Sequence, residues 1–472
     1  MRPFFGRKNE LEKLRLLTKK SSASLVVIRG RRRIGKSRLA DEFAQSYNKL
    51  HFSGLPPSEQ LSAAAQREEF AQSLSIQCNV RPPRSDDWTE LFWHLAEQTK
   101  KGRYVIILDE INWMGSKDPT FLGKLKNAWD LYFSKNKKII MILCGSMSLW
   151  IEENIVQSSG FMGRISLYLH LKELSLNDSA AFWGARRYRT SPYNIFQLLC
   201  ITGGVPRYLE EIIPEQSAEE NIMRLCFEPD GFLFSEFEHI FHDLFGRRRD
   251  ICQRLVMALS QGPKSLNELY DDLDITKTGK IVNYLNDLEQ SGFIRRDYSW
   301  NFKNGNETRV SRFRLSDNYL RFYLKYISPK KRQIEGRTIS SVPNFNSILG
   351  LQFENLVLSN REIIWKAINV KKSSIINDNP YLQTATANRT GCQIDYLIQT
   401  SNSNLYLCEI KFSKNKIGKN IIREIEKKTE ALKVPKATSI KPALIHVNGV
   451  TEELLESNYF DWIVDFSLAI ST

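Results

Sequence analysis

Three stretches in the first 150 residues are almost wholly apolar, at positions 25–28, 104–108 and 139–144. Continuous apolar runs of this length are typical of strands buried on both faces of a parallel sheet. A helix-like segment beginning at Arg38 follows the first run, so strand and helix alternate. The pattern therefore predicts an α/β domain built on a parallel sheet.

Residues 246–345 have a different pattern, in which apolar residues recur at helical spacing before a polar hairpin. The predicted elements are three helices, at 249–260, at 266–273 and ending at 291, and two strands, at 292–296 and 309–315. This order resembles that of winged helix-turn-helix DNA-binding domains, in which the third helix meets the major groove and the wing touches the backbone. The resemblance places several basic and amide side chains near nucleic acid, namely Lys277, Lys280, Asn283, Arg295, Arg296, Arg312 and Arg314. Winged helices also serve as protein-contact modules, and this alternative stays open.

Two alternating strands are predicted near the end of the chain, at 392–398 and 405–411, with a polar turn between them. A hairpin of these strands brings Asp395 and Glu409 side by side, with Lys411 on the same face as Glu409. Two carboxylates without a cationic partner repel each other unless a divalent cation lies between them. Lys411 can then position a water or stabilise charge on a phosphate. The alternative is an ordinary amphipathic hairpin with exposed charges.

Composition changes this picture in two respects. The chain has 472 residues, 42% of them hydrophobic, which predicts roughly two to four domains. It contains no run of about 18 apolar residues and no signal-peptide pattern, and its seven cysteines form no C-x-x-C pair, so we expect a cytoplasmic protein without a membrane partner. The net charge of +14 is uneven, because residues 246–345 hold 19 Lys and Arg against 11 Asp and Glu. Such a basic field favours a nucleic-acid partner, although a solvated basic surface is the alternative.

The first apolar run leads directly into the pattern G-x-x-x-x-G-K-S, which is the P-loop motif between strand and helix. Gly30 and Gly35 let the backbone wrap tightly, so its N–H groups can point at phosphate oxygens. Lys36 can reach the β- and γ-phosphates of ATP, and the Ser37 hydroxyl can bind Mg²⁺. A glycine-containing basic turn is the alternative interpretation.

The second and third apolar runs end in polar residues that suit the same chemistry. Asp109 and Glu110 follow the second run, and in P-loop enzymes such residues hold the Mg²⁺ shell and orient the attacking water, respectively. Ser146, just after the third run, is a weaker candidate for contact with the γ-phosphate, and a small capping residue is the alternative.

The last 125 residues or so resemble the PD-(D/E)xK nuclease superfamily, whose fold is the restriction-endonuclease-like α/β domain. The spacing D-x(13)-E-x-K is met by Asp395, Glu409 and Lys411, and Glu354 matches the acidic residue on the preceding helix. Ile394 stands where the superfamily often has proline, which is a mild departure. The resemblance implies a metal site of Glu354, Asp395 and Glu409, with Mg²⁺ or Mn²⁺ as the cation.

The chain as a whole resembles archaeal-type ATPases of the AAA+/STAND class. Phe5-Gly6-Arg7 with Glu10, and Gly203-Gly204-Val-Pro206, carry this resemblance beside the P-loop. It implies four domains: a P-loop core at 1–165, a helical lid at 166–245, a winged helix at 246–345 and a nuclease-like domain at 346–472. Arg164 then meets the γ-phosphate, directly or as an arginine finger of a neighbouring subunit in a homo-oligomer, and Arg207 is a lid sensor. A structural ion pair is the alternative for both arginines.

Three classes of function fit these observations. The first is an ATP-regulated, metal-dependent nuclease acting on DNA, or on RNA. The second is a DNA-binding ATPase switch with a non-cleaving C-terminal domain. The third is a signalling or scaffold protein that uses ATP to control assembly. The acidic residues with Lys411 favour the first class over the second, and the basic middle region favours either over the third.

Overall fold

The computed structural model describes residues 3–56, 61–146, 148–245, 248–277, 279–387 and 390–470. The chain divides into two compact units, Met1–Glu173 and Leu174–Thr472. No helix among these residues combines the length and apolar character that crossing a bilayer requires.

The first unit is built on a five-stranded sheet. Its strands are β1 Ser24–Arg29, β2 Asn48–Ser53, β3 Tyr104–Asp109, β4 Ile140–Gly145 and β5 Ile165–His170. All of them pair in parallel, in the order β2-β3-β4-β1-β5. The three strands predicted from apolar runs are β1, β3 and β4, and every residue of β1 and β4 is buried. The predicted parallel α/β fold is therefore confirmed.

Helices cover both faces of this sheet. They are α1 Lys8–Leu17, α2 Lys36–Ala44, α3 Ala63–Cys78, α4 Trp88–Gln98, α5 Ile111–Met114, α6 Phe121–Leu131 and α7 Ser148–Ile151, with a 3₁₀ turn at Phe133–Lys135 and a π turn at Glu152–Val156. Successive β1 residues point to opposite faces, so Val26 packs with α1 and α2 while Val27 packs with α3, α4 and α6. This two-sided burial explains why the strands are apolar throughout rather than alternating.

The second unit is mainly helical up to residue 367 and then forms a second sheet. Its helices are α8 Leu176–Ala180, α9 Pro192–Thr202, α10 Pro206–Leu209, α11 Ala218–Cys226, α12 Phe232–Phe245, α13 Arg249–Ser260, α14 Leu266–Leu273, α15 Gly279–Gln290, α16 Asn318–Phe322, α17 Lys331–Glu335, α18 Asn346–Ser359, α19 Arg361–Ala367, α20 Asn420–Ala431 and α21 Glu452–Glu456. Its strands are β6 Ile294–Trp300, β7 Glu307–Leu315, β8 Ile375–Gln383, β9 Cys392–Thr400, β10 Asn404–Ile410, β11 Ser439–His446 and β12 Trp462–Asp465. Short 3₁₀ or π segments occupy Ala181–Tyr188, Tyr323–Ile327, Ser328–Lys330, Lys372–Ser374 and Phe466–Ile470.

The boundary between the units differs from the predicted end of the P-loop core at residue 165. Strand β5 begins at Ile165 and pairs with β1, so residues 166–173 belong to the first unit and not to a helical lid. The predicted lid region is helical from α8 at Leu176 to the end of α12. The sequence did not predict β5, because this strand is only partly buried at the sheet edge and lacks a continuous apolar run.

The predicted order of three helices and a hairpin is found in α13, α14, α15, β6 and β7. Ser265 caps α14 in a reciprocal capping box with Glu268. The hairpin packs against β8, and its aromatic residues enter the core of the following domain. The Trp300 indole N–H donates to Gln399 Oε1 at 2.6 Å, and the Gln399 amide donates to the Phe302 carbonyl at 2.7 Å. The hairpin predicted to be polar therefore packs its aromatic residues Trp300 and Phe302 against the C-terminal sheet.

The C-terminal sheet is mixed, in the order β12-β11-β10-β9-β8. Strands β8, β9 and β10 are antiparallel neighbours, whereas β10, β11 and β12 run parallel. One face packs on α18 through Tyr396 and Cys408, and the other on α20 through Leu397 and Leu407. The sheet is separate from the parallel sheet of the first unit.

Candidate functional site

The P-loop of the first unit joins β1 to α2 through two glycines. One has no space for a side chain, and the other has a left-handed backbone conformation. A Cβ at Gly30 would lie 2.6 Å from the Leu171 carbonyl oxygen, closer than real contacts allow. Gly35 precedes α2 with φ of 88°, a left-handed conformation that favours glycine. The loop thus delivers the amino end of α2, where a helix favours negative charge, to the site.

Lys36 lies within this loop and is 6% exposed. Its ammonium donates to the carbonyl oxygens of Gly30 and Arg31, each at 3.1 Å. Burial lowers the pKa of Lys36, while the carboxylates of Glu110 and Asp109 oppose that shift. The positive charge is therefore held at the inner surface of the loop, close to both carboxylates.

Arg7, from the predicted Phe-Gly-Arg box, holds the P-loop in place through hydrogen bonds to backbone carbonyl oxygens. Its guanidinium donates to the carbonyl oxygens of Ile34 at 3.1 Å and of Lys172 at 2.5 Å. Arg7 is buried, and both Gly6 and Arg7 have a left-handed backbone, with φ of 72° and 59° respectively. This arginine ties the P-loop to the segment after β5.

Asp109 ends β3 beside α2, as predicted, and a histidine that the sequence analysis missed lies next to it. His51 on β2 has Nε2 3.7 Å from Asp109 Oδ2 and Nδ1 3.2 Å from Asp41 Oδ1. Hydrogen bonds to Asp109 and Asp41 raise the pKa of His51 to about 9. Burial would raise the pKa of Asp109, but hydrogen bonds from His51 and Ser37 lower it. The parallel register of β2 and β3 pairs Ser53 with Asp109, so only strand pairing brings His51 close.

Glu110 and Ser146 are brought together by neighbouring strands. Glu110 Oε2 accepts hydrogen bonds from the Ser146 hydroxyl at 2.8 Å and from the Ser146 N–H at 3.1 Å. Glu110 itself has φ of 46°, which turns its backbone away from the line of β3. Ser146 therefore fixes the Glu110 carboxylate, a role that differs from the predicted contact with phosphate.

The residues of this site fit a magnesium nucleotide. Ser37 and Asp109 are hard oxygen donors that share a hydrogen bond, and Lys36 supplies an ammonium. Ser37, Asp109 and Lys36 would hold the cation and the phosphates.

The two predicted arginine sensors both form ion pairs. Arg164 makes a bidentate pair with Asp130, at 2.7 and 2.9 Å, on an exposed surface of the first unit. Arg207, in the second unit, pairs with Glu210 and Glu211, and its guanidinium lies 4.4 Å from the centre of the Phe232 ring. These contacts match the structural alternative, and the roles toward ATP stay predictions.

The predicted carboxylates of the C-terminal domain lie on neighbouring strands. Antiparallel pairing sets Tyr396 opposite Cys408, so Asp395 and Glu409 are the next facing pair. Asp395 Oδ2 accepts from the Ile410 N–H at 2.9 Å, and the Lys411 ammonium lies 3.0 Å from Glu409 Oε1. Burial and the charge of Glu409 raise the pKa of Asp395. The predicted juxtaposition of Asp395, Glu409 and Lys411 is present.

Lys428 on α20 is a residue of this site that the sequence analysis missed. Its ammonium lies 2.6 Å from Glu409 Oε2 and 3.7 Å from Asp395 Oδ1, so one cation contacts both carboxylates. Within the described part of the chain, no three Asp, Glu, His or Cys side chains are grouped closely enough to hold a metal ion. Glu354 is therefore not grouped with Asp395 and Glu409 in this structure, and the predicted three-carboxylate centre stays a prediction. The donor oxygens that remain to a hard cation are those of Asp395 and Glu409.

Glu354 approaches the pair from α18, as predicted, without direct contact. Burial first, and then the charge of Asp395, raise the pKa of Glu354, while Arg314 and Arg321 oppose the shift. Two nearby residues of α18 hold this helix in place. Gln352 Oε1 accepts a hydrogen bond from Arg321 at 3.0 Å, and Asn355 Oδ1 accepts one from Arg314. Glu354 thus lies within electrostatic range of the site.

The basic residues predicted to meet nucleic acid separate into two sets. Lys280 and Asn283 are exposed in the first turns of α15, Lys277 is exposed before the helix, and Arg295 and Arg296 are exposed on β6. By contrast, two arginines of β7 are committed to contacts inside the unit. Arg312 pairs with Glu268 at 2.6 Å, and the buried Arg314 makes a bidentate pair with Asp297. The expectation that Arg314 faces a nucleic acid is therefore wrong.

The parallel sheet, the P-loop and the carboxylates at the end of β3 define the first part of the chain as a P-loop ATPase domain. Residues 4–212 match the sequence model of a family described as an ATPase domain predominantly from Archaea. The chain is 23% identical over 361 residues to the uncharacterized protein MJECL04 of Methanocaldococcus jannaschii, covering 75% of this chain and 76% of that one. The Walker-type ATPase PABY2304 of Pyrococcus abyssi superposes with a TM-score of 0.51 at 16% identity, covering 68% of this chain and 96% of that chain. This last likeness shows a shared fold.

Proposed function

We propose that this protein is an ATP-hydrolysing enzyme whose C-terminal domain is a metal-dependent nuclease acting on DNA and regulated by ATP. One observation carries the nuclease part of the proposal: Asp395, Glu409 and Lys411 meet at one end of a mixed sheet, with Glu354 in electrostatic range. A cluster of buried acids with raised pKa values beside lysines is typical of a functional site.

ATP hydrolysis is assigned to the first unit. Lys36 neutralises the phosphates, and Ser37 and Asp109 hold Mg²⁺. Glu110 orients the attacking water, and its two hydrogen bonds from Ser146 keep the carboxylate aimed in one direction. His51 holds Asp109 by bridging it to Asp41 of α2.

DNA cleavage is assigned to the facing carboxylates. Asp395 and Glu409 would hold Mg²⁺ or Mn²⁺, which when bound activates a water and stabilises charge on the phosphate. Lys411 is half-buried against Glu409 and Glu424, and its ammonium can donate to a phosphate oxygen. The low exposure of Glu409, 1%, strengthens each of these electrostatic contacts.

DNA binding is assigned to the exposed start of α15 and to β6. Lys277 and Lys280 supply positive charge, and Asn283 offers an amide that can read a base edge. Ser299 and Trp300, at the end of β6, are packed against the C-terminal sheet. DNA contacts from this region are therefore assigned to α15 and to Arg295 and Arg296 at the start of β6, rather than to a free wing.

A DNA-binding ATPase switch without cleavage is the second candidate. Two observations favour it: Lys428 contacts both carboxylates, and the described residues contain no group of three Asp, Glu, His or Cys side chains that could hold a metal ion. A site that has its own cation needs no metal to be stable, and it can bind a phosphate without cutting it.

One assay separates these candidates. Purified protein is incubated with linear, circular and single-stranded DNA and with RNA, with Mg²⁺ or Mn²⁺, and with or without ATP. The nuclease proposal expects products from at least one DNA substrate only when a divalent cation is present. Binding of DNA with no product under any condition would support the switch and reject the nuclease.

A further inference from the structure

Helix α20 presents two charged side chains of opposite sign to the carboxylate site. Glu424 and Lys428 are four residues apart on this helix, so they lie on one side of it, one turn apart. Lys428 contacts both Asp395 and Glu409. Glu424 contacts the third charged group of the site, because its Oε2 accepts a hydrogen bond from the Lys411 ammonium at 3.0 Å. The helix therefore supplies an opposite charge to each of the three side chains.

The Lys411 ammonium is shared between two carboxylates that differ in burial. It lies 3.0 Å from Glu409 Oε1 and 3.0 Å from Glu424 Oε2, but the Glu409 side chain is 1% exposed and the Glu424 side chain is 55% exposed. Water solvates Glu424 as soon as it leaves Lys411, and an ion pair that is this exposed contributes little free energy. A substrate phosphate can therefore replace Glu424 at Lys411 while the buried contact with Glu409 stays in place.

Lys428 is also able to leave its partners. Its side chain is 22% exposed, and together with Asp395 it lines an open cavity of about 370 Å³. A cation can reach Asp395 through this cavity, and the flexible four-carbon stem of the lysine lets the ammonium move aside into water. A divalent cation carries twice the charge of the ammonium and so interacts more strongly with the two carboxylates. The position of the Lys428 ammonium is therefore one that a metal ion can take over.

The two displaced side chains can pair with each other. A glutamate four residues before a lysine on one helix is the orientation that favours a surface ion pair. Once a cation takes the carboxylates and a phosphate takes Lys411, Glu424 and Lys428 are left as such a pair on α20. The charged side chains of the site therefore have two complete sets of partners, one without ligands and one with them.

We propose that α20 carries an internal mimic of the ligands of the nuclease site, in which Lys428 takes the position of the divalent cation and Glu424 takes the position of a substrate phosphate. The proposal rests on the nuclease function proposed above and assigns its regulation, because each ligand has to displace one of these side chains. Each displaced side chain then receives the other. Binding of the cation and binding of DNA therefore favour each other.

The first test measures DNA binding by the full chain without divalent cations, using a short fluorescein-labelled duplex and fluorescence anisotropy. Glu424→Gln removes the charge that occupies Lys411 and keeps the shape of the side chain, so we expect it to bind the duplex about threefold to fivefold more tightly than the parent protein. Glu426→Gln makes the same charge change at an exposed position of the same helix and should bind like the parent. In a Lys411→Ala background, Glu424→Gln should give no gain.

The second test measures Mn²⁺ binding to the DNA-free chain by isothermal titration calorimetry. A bound cation releases Lys428, whose ammonium then pairs with Glu424, so Glu424→Gln should weaken Mn²⁺ binding by about twofold. In a Lys428→Met background, Glu424→Gln should leave Mn²⁺ binding unchanged, because the lysine that it would receive is gone. An equal effect in both backgrounds would mean that Glu424 acts through its charge alone, and it would overturn the exchange of partners.

The outcomes separate the mimic from the nuclease proposal. Equal DNA affinity of Glu424→Gln and Glu426→Gln, or a gain that persists without Lys411, overturns the mimic. If that happens while Asp395→Asn still abolishes cleavage, the nuclease proposal stands alone. A gain that depends on Lys411, in a protein that cleaves nothing, supports the mimic at a DNA-binding site and rejects the nuclease. Glu424→Ala, at the same exposed position, gives a second variant should Glu424→Gln misfold.

Discussion

Lys428 and Glu409 form a close ion pair at one end of the C-terminal sheet, with Lys428 Nζ 2.6 Å from Glu409 Oε2. Glu409 is 1% exposed, and the same ammonium also contacts Asp395. Burying two carboxylates side by side is unfavourable unless positive charge lies between them. Lys428 supplies that charge from α20.

Replacing Lys428 by methionine should strengthen metal binding at the site. The variant keeps the apolar stem but removes the cation that contacts both carboxylates, so a divalent cation meets less competition. We expect Mn²⁺ to bind at least about tenfold more tightly, measured by isothermal titration calorimetry. Lys427→Met, at the exposed neighbouring position, is the control. Unchanged or weaker Mn²⁺ binding in Lys428→Met would mean that the lysine does not compete with a metal.

His51 should stabilise the first unit in a pH-dependent manner. Its pKa is about 9 in the folded chain against 6.5 as the ordinary value, so its stabilisation is fully present below pH 6.5 and is lost as the pH rises through about 9. Replacing His51 by glutamine should lower the free energy of unfolding by about 1–2 kcal/mol near pH 6, a figure reduced for partial exposure. The difference in the free energy of unfolding between this variant and the parent protein should vanish at about pH 10. Urea denaturation at both pH values measures it, and a pH-independent difference would contradict the assignment.

Lys36 and Glu110 should have separable effects on ATP. Lys36→Ala removes the charge that the phosphates require, so nucleotide binding and hydrolysis should both be lost. Glu110→Gln keeps the hydrogen bonds from Ser146 but cannot accept a proton from water, so binding should persist while turnover falls by about 100-fold or more. Fluorescent-nucleotide binding and phosphate release measure the two quantities. Normal hydrolysis by Lys36→Ala would disprove the site.

The sequence predicted the parts of these sites that depend on local pattern. Glycine spacing after an apolar strand indicated the P-loop, and the alternation of β9 and β10 was enough to place Asp395 opposite Glu409. His51 and Lys428 could not be predicted in this way, because strand pairing and helix packing bring them from distant positions in the chain.

The packing of the hairpin against the C-terminal sheet could have been predicted from its aromatic residues. Tyr298 and Trp300 lie on β6 and Phe302 lies in the turn just after it, which is more apolar surface than a solvated wing needs. Trp300 is 1% exposed and stacks edge-on against Tyr381 of β8. Aromatic residues in a hairpin predicted to be polar indicate a partner surface within the chain or outside it.

Arg295 and Arg296 should contribute to DNA binding through phosphate contacts. Both are exposed on β6, and replacing both by alanine should weaken binding and reduce the slope of log K against log salt by about 1 to 2. Fluorescence anisotropy across a salt series measures the slope. Lys19→Ala with Lys20→Ala, an exposed basic pair of the first unit, is the control. An unchanged slope would favour the winged helix as a protein-contact module.

We propose that one chain carries an ATPase site and a separate DNA-cleaving site at Asp395. The direct measurement is DNA cleavage and ATP hydrolysis in the same samples of the parent protein and Asp395→Asn, with Mg²⁺ or Mn²⁺. The account predicts loss of cleavage by about 100-fold or more in Asp395→Asn, with ATP hydrolysis retained, because the asparagine fills the same space without the charge that a cation needs. Cleavage at the parental rate by Asp395→Asn would contradict the account.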